Sequence, residues 1–329
     1  MVRQRPQPVA RSRQQGLALI TAMLVVALAA TAAAYLSLDQ QIWLRQAQNL
    51  SDRAQAEVVR QAALDWAAIL LTKDTKSDPS DNLTQNWAKP LPVIAVEGGQ
   101  VTGHIDDAQG RFNLNNLLRN GAPSPADIGV FQRLLQAQSL DPNLTDAVLD
   151  WIDADSTNRP YGAEDIDYLQ LKTPYRAANQ PMQSVEELRL VKGFTMEMVD
   201  KLRPWITALP QPTEINVNTA PKELLSAAFN TLPSSAIDQL ATEREKTPFT
   251  DQAKLVQRLT ELAGGKALPP VSYGIKSSYF EVAIDTQFGR YQRATLALLY
   301  RPAGGPVETL WHGQRLPLSA GATDTAEKP

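Results

Sequence analysis

The chain contains no cysteine, so neither a disulfide framework nor thiol chemistry is available to it. Histidine is almost absent as well. His104 and His312, the only two, stand at opposite ends of the chain and read as surface strand residues rather than as a catalytic pair. No Gly-x-Ser-x-Gly elbow, phosphate-binding loop or dinucleotide fingerprint occurs. The paired glycines 98–99, 264–265 and 304–305 fall in expected loops, without the strand-to-helix setting that a phosphate loop needs. Carboxylates are plentiful, but no apolar surroundings mark one of them as a general acid or base. These absences lead to the expectation that the protein is not an enzyme. Acidic residues are missing from the whole first stretch: Arg3, Arg5, Arg11 and Arg13 precede the first acid, Asp39. The rest of the chain is mildly acidic, which argues against nucleic acid as the main partner, since phosphate binding needs a positive footprint.

What is present begins with residues 17–38, LALITAMLVVALAATAAAYLSL, which carry no charge. As a helix this run measures about 33 Å, enough to cross a hydrocarbon core of about 30 Å. The arginines before it place residues 1–16 on the cytoplasmic side and everything after residue 38 across the membrane. A cleaved secretory signal is the wrong length, because polar helical sequence follows where a small-residue cleavage site would end it. From 39 to 71 there is no proline or glycine, and Trp43, Ala47, Leu50, Ala54, Val58, Ala62, Trp66 and Ile69 recur at helical spacing. One helix from about 17 to 72 is therefore expected, half in lipid and half packed on a soluble domain.

Further along, residues 73–92 read as a loop with three prolines. Strands at 100–106 and 111–114 flank Asp107-Ala108-Gln109-Gly110 as an expected hairpin turn. Residues 115–270 have helical patterning broken by proline and loops. Strands resume at 277–285, 291–300 and 307–311, with a turn at 287–290, and 317–329 is expected to be a disordered tail. The fold class is α+β: a long N-terminal helix on a small antiparallel sheet, with a large all-α domain inserted into it. The segments are 1–16, 17–38, 39–114, 115–270, 271–316 and 317–329.

The join Arg13-Gln14-Gln15-Gly16-Leu17-Ala18-Leu19-Ile20, a basic leader ending in glycine before an apolar run, resembles the leader of type IV prepilins and type II secretion pseudopilins. The resemblance implies that a prepilin peptidase cuts between Gly16 and Leu17 and leaves the apolar helix attached. Major subunits of that family carry Glu at the fifth mature position, which here is Thr21. A subunit without that carboxylate suits a place where no neighbour supplies its partner, such as a fibre tip. Further stretches occur in the order typical of the protein K minor pseudopilins: GRFNLNNLL at 110–118, PYGAEDIDY at 160–168, YRAANQPMQSVEELRLVKG at 175–193 and INVNTAPKELL at 215–225. This resemblance covers essentially the whole chain. It implies an inner-membrane, single-pass subunit with a cytoplasmic N-terminus and a periplasmic C-terminal part. Its partners would be other minor pseudopilins, in a tip complex that initiates or caps the fibre during protein export.

Between 150 and 167 six carboxylates face one arginine, Arg159. Two readings follow from the residues: a solvated acidic loop, or a site for a hard cation such as Ca²⁺. With Asp153 as loop position one, Asp155, Thr157 and Glu164 fall at three, five and twelve, as in an EF-hand, but Asn158 replaces the turn glycine and Pro160 interrupts the loop. The resemblance favours structural Ca²⁺, one or two ions, and implies Asp153, Asp155, Glu164, Asp165 and Asp167 as ligands, with Asn179 as a further one.

Residues 214–262 are similar to the helix-hairpin-helix modules of DNA-uptake proteins, which gives the alternative of a membrane-anchored DNA receptor. A minor pilin of a type IV pilus is the other. Against the first, the hairpin position reads Leu232-Pro233-Ser234-Ser235-Ala236, with no glycine and one donor removed by Pro233.

Overall fold

The computed structural model describes residues 12–314. Residues 1–11 of the expected leader and the expected 317–329 tail lie outside the described residues. One helix, α1, runs from Ser12 to Ser77. It starts before residue 17 because no proline follows Pro8 ahead of the apolar run, and the single Gly16 weakens a helix without ending it. It also outlasts residue 72, since Lys73 to Ser77 are compatible with helix and only Pro79 restricts the residue before it.

Five strands form one antiparallel sheet in chain order: β1 (Leu91–Val96), β2 (Gly99–Asp107), β3 (Tyr279–Phe288), β4 (Tyr291–Tyr300) and β5 (Glu308–Gln314). The first hairpin turns at Glu97-Gly98, not at 107–110. Gly98 takes φ +80°, a conformation open to glycine at little cost. Residues 91–92, expected in a loop, belong to an edge strand, where Pro92 lacks no ladder bond. Asp107–Gly110 instead turns the chain out of the sheet, and Phe112–Asn113 pairs in parallel with Ile206–Thr207.

The insertion between β2 and β3 carries helices α2 (Pro125–Ala137), α3 (Leu144–Ile152), α4 (Asp165–Leu169), α5 (Met196–Leu202), α6 (Lys222–Ala228), α7 (Ser234–Lys246) and α8 (Gln252–Leu262). Its apolar core extends from Phe112 to Ile275 and is separate from the core under α1. The asparagines of 110–118 tie this unit together where regular sheet is absent. Asn115 donates to the carbonyls of Met182 and Leu209 and accepts from Met182 N–H, each at 2.8 Å. Asn116 exchanges a pair of bonds with the Thr213 backbone at 2.9 and 2.8 Å. Such amide side chains satisfy buried main-chain groups that loops leave unpaired.

The soluble half of α1 does pack on the sheet, though not through the expected residues. Ala56, Arg60, Leu64, Ala67 and Leu71 are buried, and Leu64, Ala67 and Leu71 share one core with Val101, Ile105, Phe280, Val282, Ile284, Ala297 and Leu299. Fully burying a leucine in this way stabilises by roughly 1.5–3 kcal/mol. Trp43, Ala47, Leu50, Ala54, Val58, Ala62, Trp66 and Ile69 are all exposed. At 100° per residue they centre nearly opposite the buried row. Leu64 and Leu71 supply the apolar bulk on the sheet side, and Ala56, Ala67 and the Arg60 stem allow a close approach, while Trp43, Leu50, Val58, Trp66 and Ile69 occupy the far side.

Candidate metal centre and the exposed helix face

α3 ends where the acidic loop begins, with Asp153 capping its C-terminus in an extended conformation. Asp150, one turn earlier, is fully buried and accepts from the Arg159 backbone at 3.1 Å and from its guanidinium. The same guanidinium donates to Asp153 Oδ2 at 2.5 Å. Arg159 thus neutralises part of the cluster and folds the loop back onto α3. Gly162 permits this closure: a Cβ there would lie 1.7 Å from Asp150 Oδ2. Glu164 then starts α4, its N–H donating to Asp167 Oδ2 at 3.2 Å.

The loop brings Asp153, Asp155 and Glu164 together, each with a carboxylate oxygen within 4.8 Å of the other two. Oxygens bound at 2.3–2.6 Å around one Ca²⁺ stand up to about 5 Å apart, so the spacing fits that ion. Asp153 Oδ1 and both Glu164 oxygens are buried without a hydrogen-bond partner. Unsatisfied buried oxygens are costly, and a cation is one group that would satisfy all three. Burial, then repulsion from Asp150, Asp153, Asp155 and Asp165, pushes the Glu164 carboxyl up to about 7. Asn179 Oδ1 is also buried and unpartnered, and the Asn179 N–H donates to Trp151 C=O at 3.0 Å, which sets it beside the end of α3.

Asp165 and Asp167 are not in that group. Asp165 accepts from Arg176 Nη1 at 2.9 Å and Ala177 N–H at 3.0 Å. Asp167 accepts from Lys192 Nζ at 3.0 Å and Asn158 Nδ2 at 3.1 Å, and the Lys192 hydrogen bond holds its carboxyl below the usual range. Arg159 and Gly162 escaped the reading of ligands from sequence. The signal for Arg159 was its being the only base among six acids.

In the segment resembling helix-hairpin-helix modules, several bases are engaged within the fold. Arg244 is buried and donates to Val217 C=O, Lys222 pairs with Asp238 at 2.8 Å, and Arg258 pairs with Glu243 at 2.5 Å. His104 meets Asp106 at 3.3 Å, and His312 stands exposed on β5. On α1, Gly16 and Leu17 fall inside the helix, and Thr21 Oγ1 donates to the carbonyls of Leu17 and Ala18 at 3.1 and 3.0 Å. Position 21 is therefore neutral and satisfied within its own helix. The apolar stretch at the start of α1 is long enough to cross a membrane, and none of it is buried.

Comparison with known proteins agrees with this architecture. The family described as "Type II secretion system (T2SS), protein K" matches residues 110–211 and 215–276. Type II secretion system protein K of Pseudomonas aeruginosa is 32% identical over 312 residues, covering 91% of this chain and 92% of the relative. The Aeromonas hydrophila protein of that name is 34% identical, covering 84% and 90%. The fold is similar to a chain in the crystal structure of the GspK-GspI-GspJ complex from the enterotoxigenic Escherichia coli type 2 secretion system. That likeness has a TM-score of 0.68 at 22% identity and covers 82% of this chain and 99% of the other. The chain belongs to the type II secretion system protein K family.

Proposed function

We propose that this family member is a minor pseudopilin without catalytic activity, joining other minor pseudopilins in a complex at the pseudopilus tip that initiates or caps the fibre. The observation that carries this reading is the exposed apolar face of α1, from Trp43 to Ile69, continuous with the apolar run before it. Val58 is 70% exposed and Leu50 68%, and a row of such side chains on one helix face is a surface for another helix. The solved relative in which this fold occurs was crystallised with two further proteins, GspI and GspJ. The chain would sit in the inner membrane by α1, N-terminus in the cytoplasm, after a prepilin peptidase has cut between Gly16 and Leu17. Ca²⁺ would be held by Asp153, Asp155 and Glu164, with Asn179 as a further ligand, and would fix the long loop between α3 and α4. Asp165 and Asp167 would enter only by exchanging their basic partners for the ion.

The test is co-purification of the full chain with co-expressed minor pseudopilins from the same bacterium. Val58→Glu together with Ile69→Glu should abolish co-purification without lowering the melting temperature, because both side chains point away from the sheet. Undiminished recovery of partners with the double variant would refute assembly through this face.

A further inference from the structure

A groove of about 880 Å³ lies between α1 and the β3–β4 turn, at the end of the sheet nearest the apolar run. Arg45 and Arg53 of α1 and Arg290 of the turn line it. All three are exposed, and among the described residues none makes an ion pair. Of the acids nearby, Glu57 is already paired with Arg60 at 2.5 Å and reaches Arg293 at 3.7 Å. Asp52 is the one acid in the lining, and it lies under the turn, where a Cβ on Gly289 would come within 2.4 Å of its carboxylate. The groove therefore carries a net positive charge with donors to spare.

Its height above the bilayer follows from α1. After the uncharged run ends at residue 38, the chain returns to apolar side chains at Ile42, Trp43 and Leu44, all exposed. A tryptophan just beyond a membrane span is an interfacial anchor. Arg45 stands about 3 Å above Trp43 along the axis and Arg53 about 15 Å above it. Side chains on a helix lean toward its N-terminus, which for α1 is toward the membrane. The headgroup layer is about 5–7 Å deep on each face. Arg45 thus reaches into that layer, and Arg53 and Arg290 continue the positive surface above it. Guanidinium groups suit phosphate oxygens through paired N–H donors.

We propose that Arg45, at the membrane end of this groove, binds the phosphate headgroup of an anionic phospholipid and that Arg53 and Arg290 above it add long-range attraction to the anionic surface, holding the underside of the sheet domain against the bilayer. The proposal rests on the membrane-spanning reading of α1. It is tested with the full chain in nanodiscs of phosphatidylcholine, with or without phosphatidylglycerol, by hydrogen exchange of the peptide covering 289–291. Phosphatidylglycerol should slow exchange there by about threefold or more, and raised salt should remove the effect. Arg45→Gln with Arg53→Gln should cancel the slowing, and Arg290→Gln alone, in a surface turn, should weaken it while leaving the melting temperature unchanged. Equal exchange in both kinds of disc, or slowing that survives in the variants, overturns the proposal. Equal slowing by millimolar inorganic phosphate in phosphatidylcholine discs would mark a free-anion site and overturn the lipid assignment. A chain that fails to insert into either disc overturns the membrane-spanning reading and the proposal with it.

Discussion

Arg301 Nη2 donates to both oxygens of Asp81 at 2.6 Å, joining the end of β4 to the segment that follows α1. The guanidinium lies over the Phe280 ring at 4.6 Å and donates to Ser277 C=O at 2.7 Å. Asp81 also accepts from Ser277 N–H at 2.7 Å, and its carbonyl accepts from Asn216 Nδ2 at 3.0 Å. Asp107 closes the network, taking Asn216, Thr219 and Ser277 on one oxygen at 2.8, 2.6 and 2.7 Å. The sheet and the insertion therefore meet through a buried polar seam rather than through apolar packing alone. Removing one partner of a buried pair leaves an uncompensated charge, at a cost of about 3–5 kcal/mol. Asp81→Ala should lower the unfolding free energy by about that amount in denaturant titration. A loss under about 1 kcal/mol would show that water or Asp74 takes over the pairing.

Asp74 borders the same seam. Burial, then the nearby Asp81, pushes its carboxyl up to about 6, against the pull of Arg301. A carboxyl whose folded value is raised favours the fold when protonated. Its contribution is present below the unfolded value near 4 and is lost as pH rises through 6. The charge also sits near the C-terminus of α1, the unfavourable end for an anion. Asp74→Asn should therefore raise stability at pH 7.5, by about 1–2 kcal/mol after discounting for its partial exposure, and by little at pH 4. Melting curves at the two pH values read the difference directly. A variant destabilised at pH 7.5 would mean that the ion pair with Arg301, at 3.9 Å, outweighs the repulsion.

A ligand that binds only the folded chain stabilises it by about 2.7 kcal/mol at a hundredfold excess over Kd. The melting temperature should rise with millimolar Ca²⁺ and fall with chelator, with Mg²⁺ less effective because it demands tighter octahedral geometry. Asp153→Asn together with Asp155→Asn should remove most of the calcium-dependent rise; because the first change also removes the charge paired with Arg159, the reading is the difference between calcium and chelator, not the chelated melting temperature. Glu164→Gln should do the same while relieving a carboxyl crowded by four others. Equal melting with calcium and chelator would return the cluster to a solvated acidic loop.

The apolar run, the helix continuing past it and the order of the later strands were legible because each depends on local periodicity. So was the acidic loop, whose crowding is a matter of composition. Which face of α1 meets the sheet was not. The expected row selects Trp43, Val58 and Ile69, whereas the sheet takes Leu64 and Leu71 together with the small Ala56 and Ala67 and the stem of Arg60. Helical spacing reports an apolar face without naming its partner, and α1 has two such faces. The first hairpin was misplaced for a related reason. Pro90 and Pro92 hide an edge strand, and Asp107-Ala108-Gln109-Gly110 has turn composition while serving as the exit to the insertion. The division of acids inside the loop depends on Arg176 and Lys192, which approach Asp165 and Asp167 from later in the chain and leave no local trace.

α1 runs without interruption through Gly16 and Leu17, so no turn marks the junction within the described residues. Recognition would then rest on the basic residues before it, the missing side chain at Gly16 and the apolar run that fixes its height in the membrane. Insertion depends on the apolar run and the arginines, not on Gly16. Gly16→Asp should therefore block cutting while the chain still fractionates with the membrane, since an acidic side chain now occupies the position next to the cut bond. Unvaried protein should begin at Leu17 on N-terminal sequencing, and the variant should keep its leader. A mature chain that begins at Met1, or beyond Ser37, would rule out this processing and leave α1 as a plain anchor or a cleaved signal.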